Sequence, residues 1–344
     1  MTNFPARETD SDRCRDLAAR LESWFADNAR DYPWRRTRDP YAILVSEMML
    51  QQTRIATVLE RRYFERWMER FPTVRSLAEA GAEEVLKAWE GLGYYRRARH
   101  LQAAARAVVE RHQGVFPSGE EDLRALPGIG PYTAGAVASF AFGLRRPLVD
   151  GNVARVIARL FDLRTPVDEE PGKTRVWELA GGLVAACDSP AALNSALMEL
   201  GQTLCLPGKP GCDSCPVRTC CLSPRPELLP LKKARPAPTE IEEHALFARH
   251  DGRVLLQQET GPRRTGLWKL PALPHPPASR APLLRMTYGI TRYRVRLHVH
   301  GPAAGERAPA CPPDCRWVAL EDVPALALGS PYRRALNKLL ESLC

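Results

Sequence analysis

No stretch of this 344-residue chain is suited to crossing a bilayer as a helix. The longest run free of charge and strong polarity, Ala134–Leu144, falls well short of the ~20 apolar residues that a crossing needs. The opening MTNFPARETDSDRCRD has no apolar segment, so no secretory leader is expected and a cytoplasmic protein is. No internal repeat is evident, so a repeat array is not expected either. With 44% hydrophobic and 26% charged residues, the composition also lacks the bias of a disordered or fibrous chain. What remains is a globular protein of about two domains. Its 49 Lys+Arg against 40 Asp+Glu leave a net charge of +9, which favours a polyanionic partner, nucleic acid or an acidic membrane surface.

Apolar residues recur at three- and four-residue spacing from about residue 13 to 200, as in Leu17-Ala18-Leu21-Trp24-Phe25 and Leu101-Ala104-Ala105-Val108-Val109. Turn signals such as Asp39-Pro40, Phe71-Pro72-Thr73 and Leu126-Pro127-Gly128 punctuate the pattern. A proline-spaced basic stretch from Pro224 to Pro238 cannot continue a helix and reads as a semi-rigid linker. Beyond it Ile241–Phe247, Val254–Gln258 and the strictly alternating Tyr293–Val299 read as strands, and Tyr332–Leu343 as a helix. The expected organisation is a helical domain at 1–225, a linker at 226–239 and a smaller α+β domain at 240–344.

Ten cysteines are many for a chain without an export signal, and five of them crowd into 205–221. Cys205, Cys212, Cys215 and Cys221 are spaced C-x6-C-x2-C-x5-C. Thiolates packed so closely repel unless a cation shares their charge, so a metal centre is expected. One short pair flanked by longer arms suits a 4Fe–4S cluster better than zinc, which usually takes two short knuckles; metal-free thiols are the bland alternative. Cys220 is left as a spare. Bracing a loop is the plain role for such a cluster, and electron transfer the other.

Leu126-Pro127-Gly128-Ile129-Gly130-Pro131-Tyr132 has the form of a hairpin between two helices. Gly128 and Gly130 let backbone amides approach a phosphate, and Pro131 suits the first turn of the next helix, whose positive end then faces the anion. Further on, Asp150 precedes an apolar-periodic helix through Val153, Val156, Ile157 and Leu160, a good N-cap position. A carboxylate held there can also face a developing cation. Glu47 stands in the apolar stretch Tyr41–Thr53, with Ile43, Leu44 and Leu50 along its own face and no cation among them. Burial would raise its pKa toward that of a general acid; a structural or solvent-facing Glu fits the pattern as well.

Ser46-Glu47-Met48-Met49-Leu50-Gln51-Gln52-Thr53 is the distinctive string. With Leu126–Ala134, Val149-Asp150-Gly151-Asn152, Met198-Glu199-Leu200-Gly201 and the four-cysteine loop, it resembles the helix–hairpin–helix DNA glycosylase superfamily, in particular its A/G-specific adenine DNA glycosylase (MutY-type) branch. The resemblance covers the helical region fully and the remainder more weakly. It implies a base excision repair enzyme that removes adenine mispaired with guanine or 8-oxoguanine from double-stranded DNA. It further implies a mainly α domain with a 4Fe–4S loop at 205–221, a C-terminal α+β Nudix-like domain, a monomer, and action at the bacterial nucleoid. By motif match, Glu47 would protonate the adenine ring and Asp150 would stabilise the sugar cation. Trp34, Arg35, Leu50, Asn152 and Glu199 would surround the extruded base, and Gln52 and Tyr95 would wedge into the emptied duplex. Trp34, Leu50 and Tyr95 could equally be core. Tyr132 stands where strand-cutting relatives such as endonuclease III carry a lysine, so base removal without strand cleavage is expected. An endonuclease III-like or thymine-mismatch glycosylase is the alternative within the superfamily; an iron–sulfur DNA-binding or electron-transfer protein is the alternative outside it.

Gly266–Pro271 resembles the start of a Nudix domain, but the acidic helix of Nudix catalysis is missing: Ala272–Pro282 is proline-rich, and nucleotide-diphosphate hydrolysis is not expected. Where the family carries a Phe-Ser-His reading loop, this chain has Tyr288-Gly289-Ile290. The missing histidine donor implies a reduced preference for 8-oxoguanine, or a contact shifted to Thr291 or Arg292.

Overall fold

The computed structural model describes residues 11–234, 236–261, 264–274, 281–302 and 314–342. Twelve helices run through its first part: α1 Ser11–Asn28, α2 Pro40–Leu50, α3 Ile55–Glu60, α4 Tyr63–Arg70, α5 Val74–Glu79, α6 Ala82–Ala88, α7 Arg96–His112, α8 Glu120–Ala125, α9 Pro131–Phe140, α10 Gly151–Leu160, α11 Gly172–Ala186 and α12 Pro190–Thr203. Contacts group the chain into two units, 1–75 with 103–234 and 76–102 with 235–344. Residues 76–102, helical like their surroundings in sequence, thus belong with the C-terminal unit. None of the described helices is long and apolar enough to cross a membrane.

In the first unit, α2 explains most of the architecture. The Asp39 carboxylate accepts from the Tyr41 and Ala42 amides at 3.1 and 3.3 Å, and Pro40 supplies the preset first turn. The helix is apolar on every side, and every residue from Tyr41 to Met49 is buried, as such a helix must be. It packs against α9, whose residues 133–139 are all buried. α10 and α12 pack on each other, and α1 lies on α11 and α12. Leu17, Leu21, Ile157, Leu183 and Leu197, all with 0% exposure, share that core, each stabilising it by about 1.5–3 kcal/mol. The close approach of α12 to the start of α10 requires Gly201: a Cβ there would lie 2.7 Å from the Asn152 Cβ.

The chain after the cysteines remains fastened to this unit through residue 233. The Val167 amide donates to Leu231 O, and the Lys233 amide to Asp168.

The second unit contains two sheets. In one, β1 (Thr239–Leu246) pairs in parallel with β6 (Tyr293–His300), which pairs antiparallel with β5 (Leu284–Ile290). In the other, β3 (Arg253–Gln258) pairs with β2 (Arg249–His250), β4 (Trp268–Lys269) and β7 (Cys315–Ala319). Helix α13 (Ser330–Glu341) adds Tyr332, Ala335, Leu336 and Leu339 to their apolar core. Tyr288-Gly289-Ile290, which the sequence reading treats as a loop, is strand: the three pair with Val295, Arg294 and Tyr293. Tyr288 is buried, its hydroxyl donating to Glu243 and accepting from Arg264. The turn is Thr291-Arg292, with Thr291 left-handed at φ +52°. Of the proline-rich stretch 272–282, residues 275–280 lie outside the described residues.

Candidate active site

A cleft of about 1000 Å³ opens in the first unit, and Glu47, Tyr132, Asp150 and Asn152 line it together. Glu47 reaches it from α2, with only 3% of its surface exposed. The Tyr132 hydroxyl, from the first turn of α9, donates to Glu47 Oε2 at 2.5 Å. Burial pushes the Glu47 carboxyl up to about 7; the Tyr132 bond opposes this, the Asp150 charge adds to it, and Arg35 weakly opposes. Burial, reinforced by Glu47, raises the Tyr132 phenol well above its usual range, so it remains a hydrogen-bond donor. The residue that in sequence could have been structural, exposed or functional is therefore a buried acid that titrates near neutrality and opens on a cavity.

Asp150 caps α10. One carboxylate oxygen accepts from the Asn152 and Val153 amides at 2.9 and 2.7 Å, and the other accepts from the Asn152 side chain at 2.9 Å. Asn152 is in turn held by Arg155, whose Nη2 donates to Asn152 Oδ1 at 2.9 Å and to Gly201 O at 2.6 Å. Arg155 Nε donates to Cys205 O at 2.8 Å. A continuous chain of hydrogen bonds thus runs from the Asp150 carboxylate to the first cysteine of the loop. Sequence reading misses Arg155: an arginine in an apolar-periodic helix looks like an outward-facing residue until α12 is seen to cover it.

Glu199, with 0% exposure in α12, is paired by Arg35 Nη2 at 2.7 Å and by Arg30 Nε at 3.3 Å. Arg35 also stacks over the Phe25 and Tyr32 rings. Trp34, Arg30, Arg35 and Leu50 line the same cleft, with Met198 and Gln202, which the sequence reading does not single out. Arg30 carries no motif signal; only its distance to Glu199 identifies it. Gln52 lies just past α2, exposed and left-handed at φ +58°. Gly128 takes φ +75° in the hairpin and Gly130 precedes α9 as its cap residue.

Tyr95 is placed otherwise than expected. It is buried at 6% exposure and its hydroxyl donates to Leu328 O at 3.1 Å. Its neighbour Tyr94 is 48% exposed with φ +46°. In an aromatic pair one residue turns in and the other out, and the sequence alone does not say which.

Cys205, Cys212, Cys215 and Cys221 line one apolar cavity, and Cys220 points away, its thiol donating to Asp16 at 3.1 Å. Among the described residues, no three His, Cys, Asp or Glu side chains stand in a ready-made metal-ligand arrangement, so the case for a cofactor rests on the donor chemistry of the cavity. Burial pushes the Cys215 thiol up to about 11, and the neighbouring thiols add to it despite a bond from the Val217 amide. Crowded sulfurs in apolar surroundings are what a cation would relieve. Arg159 Nη1 donates to Cys205 Sγ at 3.2 Å and the Ser223 amide bonds Cys221, contacts that suit thiolate ligands. The four residues fit a thiolate-bound metal group.

The HhH-GPD superfamily of base excision DNA repair proteins matches residues 45–180. An adenine DNA glycosylase of Rattus norvegicus is 43% identical over 238 residues, 67% of this chain and 46% of that protein. One from Buchnera aphidicola subsp. Schizaphis graminum is 30% identical over 251 residues, 72% of this chain and 71% of that protein. The chain thus matches less than half the length of its mammalian relative. Among solved structures, a thermostable thymine-DNA glycosylase superposes with a TM-score of 0.55 at 28% identity, covering 61% of this chain and 96% of that one.

Proposed function

This chain belongs to the adenine DNA glycosylase family of the HhH-GPD superfamily, and we propose that it hydrolyses the N-glycosidic bond of adenine mispaired with guanine or 8-oxoguanine in double-stranded DNA. The observation that carries this reading is the convergence of Glu47, Tyr132 and Asp150 on one cleft large enough for a nucleotide. Extrusion of the adenine brings it between them. Trp34, Leu50, Glu199 with its arginines, and Asn152 hold the base and sugar; Gln52 fills the space it leaves. Gly128 and Gly130 offer backbone amides to a phosphate. Glu47, protonated near neutral pH, gives its proton to the purine, which leaves as a neutral base. Asp150 sets its negative charge against the sugar cation that forms, until water adds to the sugar carbon and gives its proton to the Glu47 carboxylate. Two carboxyl groups dividing acid and cation-stabilising roles is the logic of glycoside hydrolysis.

Cys205, Cys212, Cys215 and Cys221 would hold a 4Fe–4S cluster, which when bound ties the loop together and fixes the far end of the Asp150–Asn152–Arg155 chain. The C-terminal unit would serve as the Nudix-like reader of the opposite base, in a monomeric cytoplasmic enzyme.

The deciding experiment presents the protein with A:G, A:8-oxoguanine, T:G and abasic duplexes and reveals abasic sites with piperidine. Release from the two adenine duplexes alone is expected; release from T:G alone would overturn the assignment. With Thr291 and Arg292 at the hairpin tip and no histidine donor there, the two adenine duplexes should differ by no more than about tenfold in single-turnover rate, the scale of one base contact. A larger preference for 8-oxoguanine would show that another residue supplies the donor.

Tyr132 has no amine with which to form a Schiff base, and its oxygen is engaged by Glu47. Borohydride should therefore trap no enzyme–DNA adduct above background and the strand should remain intact.

The rate should also follow the Glu47 proton. Its carboxyl is raised from 4.5 to about 7, so the acid form is lost as pH rises through about 7. Single-turnover release should fall about tenfold per unit above that point. Stability shifts in the same direction: the neutral buried carboxyl contributes fully below about 4.5 and its contribution disappears as pH rises past 7. A flat rate profile between about pH 6 and 9 would remove Glu47 from the proton-donor role.

A further inference from the structure

Three of the seven histidines come together on one sheet of the second unit. β6 carries His298 and His300 two residues apart, and β1 sets His244 directly opposite His298 in the parallel ladder. Side chains alternate across a strand. Ala245, Val295, Leu297 and Val299 therefore enter the apolar core, while the histidines share the other face. The His244 ring stacks on that of His298 with centres 4.9 Å apart, and its centre is 5.4 Å from that of His300. His244 Nδ1 lies 3.1 Å from His300 Nε2.

A hydrogen bond between two imidazoles accounts for that last contact and for nothing else. His298 Nε2 and His300 Nδ1 are buried without a hydrogen-bond partner among the described residues, and His300 is only 4% exposed. Buried polar atoms without partners are costly, and a neutral imidazole nitrogen is a metal-ligating atom. Nitrogens about 2.0–2.1 Å from one tetrahedral zinc stand about 3.3 Å from each other, close to the His244–His300 separation. As they stand the three rings do not converge on one point; His298 joins the other two by turning about its own side-chain bonds, which gives its Nε2 a partner. The second nitrogen of His244 faces Glu242, whose Oε2 is 3.8 Å away, where an outer carboxylate commonly orients a ligating histidine. Arg285, opposite His298 on β5, is exposed and keeps its charge in water.

We propose that His244, His298 and His300 form a zinc site that pins β1 to β6. Three imidazoles with water in the fourth position suit zinc, whereas magnesium and calcium take oxygen ligands. β1 lies at the edge of the three-stranded sheet, so an ion shared with β6 adds a tie that unfolding must break. The site lies wholly within the second unit and stands whether or not the first unit excises bases.

The test titrates zinc chloride into the full-length, cluster-loaded protein after treatment with a chelator, with binding read by calorimetry. Wild type should bind one ion per chain. E242Q should weaken binding about tenfold, the scale of a lost outer-ligand contact, and H244N and H298N should each weaken it further. His300 is too enclosed for a safe substitution, so the half-buried His244 and His298 carry the test. H112N, on α7, should bind as wild type does. Zinc should raise the melting temperature of wild type and H112N but not of H298N, a difference that a variant merely less stable would not show. X-ray absorption at the zinc edge should find nitrogen or oxygen at about 2.0 Å and no sulfur at about 2.3 Å, which separates this site from the cysteine loop. Zinc binding that persists in H244N and H298N, a shell containing sulfur, or a wild type that binds no more zinc than these variants overturns the proposal.

Discussion

Replacing Glu47 with Gln is expected to abolish base release while leaving duplex binding within about twofold of wild type. The amide keeps the volume of the carboxyl in a site that is 3% exposed and still accepts the Tyr132 hydroxyl, so neither packing nor the cap of α2 is disturbed. What disappears is the transferable proton. General acid catalysis is worth about 10²–10⁴-fold, and a purine is a poor leaving group as an anion, so the upper part of that range is expected. The measurement is single-turnover release from an A:G duplex alongside binding by anisotropy. Equal loss of both would indicate a misfolded site; retention of release would make Glu47 a structural acid after all. A DNA-binding protein without chemistry would register little change in either.

The second large effect is expected at Asp150, where capping and chemistry can be separated. Asparagine caps helices about as well as aspartate, and in Asp150→Asn its side-chain oxygen can still accept from the Asn152 and Val153 amides. The bond from the Asn152 side chain loses its acceptor, at a cost of about 1 kcal/mol. The charge is gone. If Asp150 only starts α10, release should follow the small stability change. If its charge faces the sugar cation, release should fall by about 10²–10³-fold, the loss seen when one preorganised electrostatic contact is removed. Thermal melting and single-turnover release on the same preparation decide between the two. The hydrogen-bond chain through Asn152 and Arg155 to Cys205 makes the position of this carboxylate sensitive to the cysteine loop as well as to its own helix.

Much of the fold was legible because its signals are local. Asp39-Pro40 and Asp150-Gly151 mark helix starts by the acceptor and φ they supply, and both form caps where expected. The alternation of Tyr293–Val299 places Val295, Leu297 and Val299 on one face, and these are buried at 0% exposure. Other strands were not legible. β5 reads Leu-Arg-Met-Thr-Tyr-Gly-Ile, where Gly289 and the absence of a second turn signal disguise a strand that is held by pairing with β6. The loop expected at Tyr288–Ile290 failed for the same reason: ladder bonds from a partner strand extended the structure to the last residues before Thr291.

Residue types and their spacing, by themselves, determined where helices such as α2 and α10 begin and that four cysteines crowd together at 205–221, whereas Glu47 and Asp150 were singled out as a pair through the family resemblance. Chain-distant neighbours decided the rest. A helix apolar on all sides does not say which way Glu47 points; α9 does, by setting Tyr132 against it. Nothing in Tyr94-Tyr95 tells which ring turns inward until Leu328 O accepts one hydroxyl. Arg30 and Arg155 become part of the site only through α12, which carries Glu199 and Gly201. Local preferences act through the nearest few residues, whereas burial, charge and titration depend on what the folded chain brings alongside.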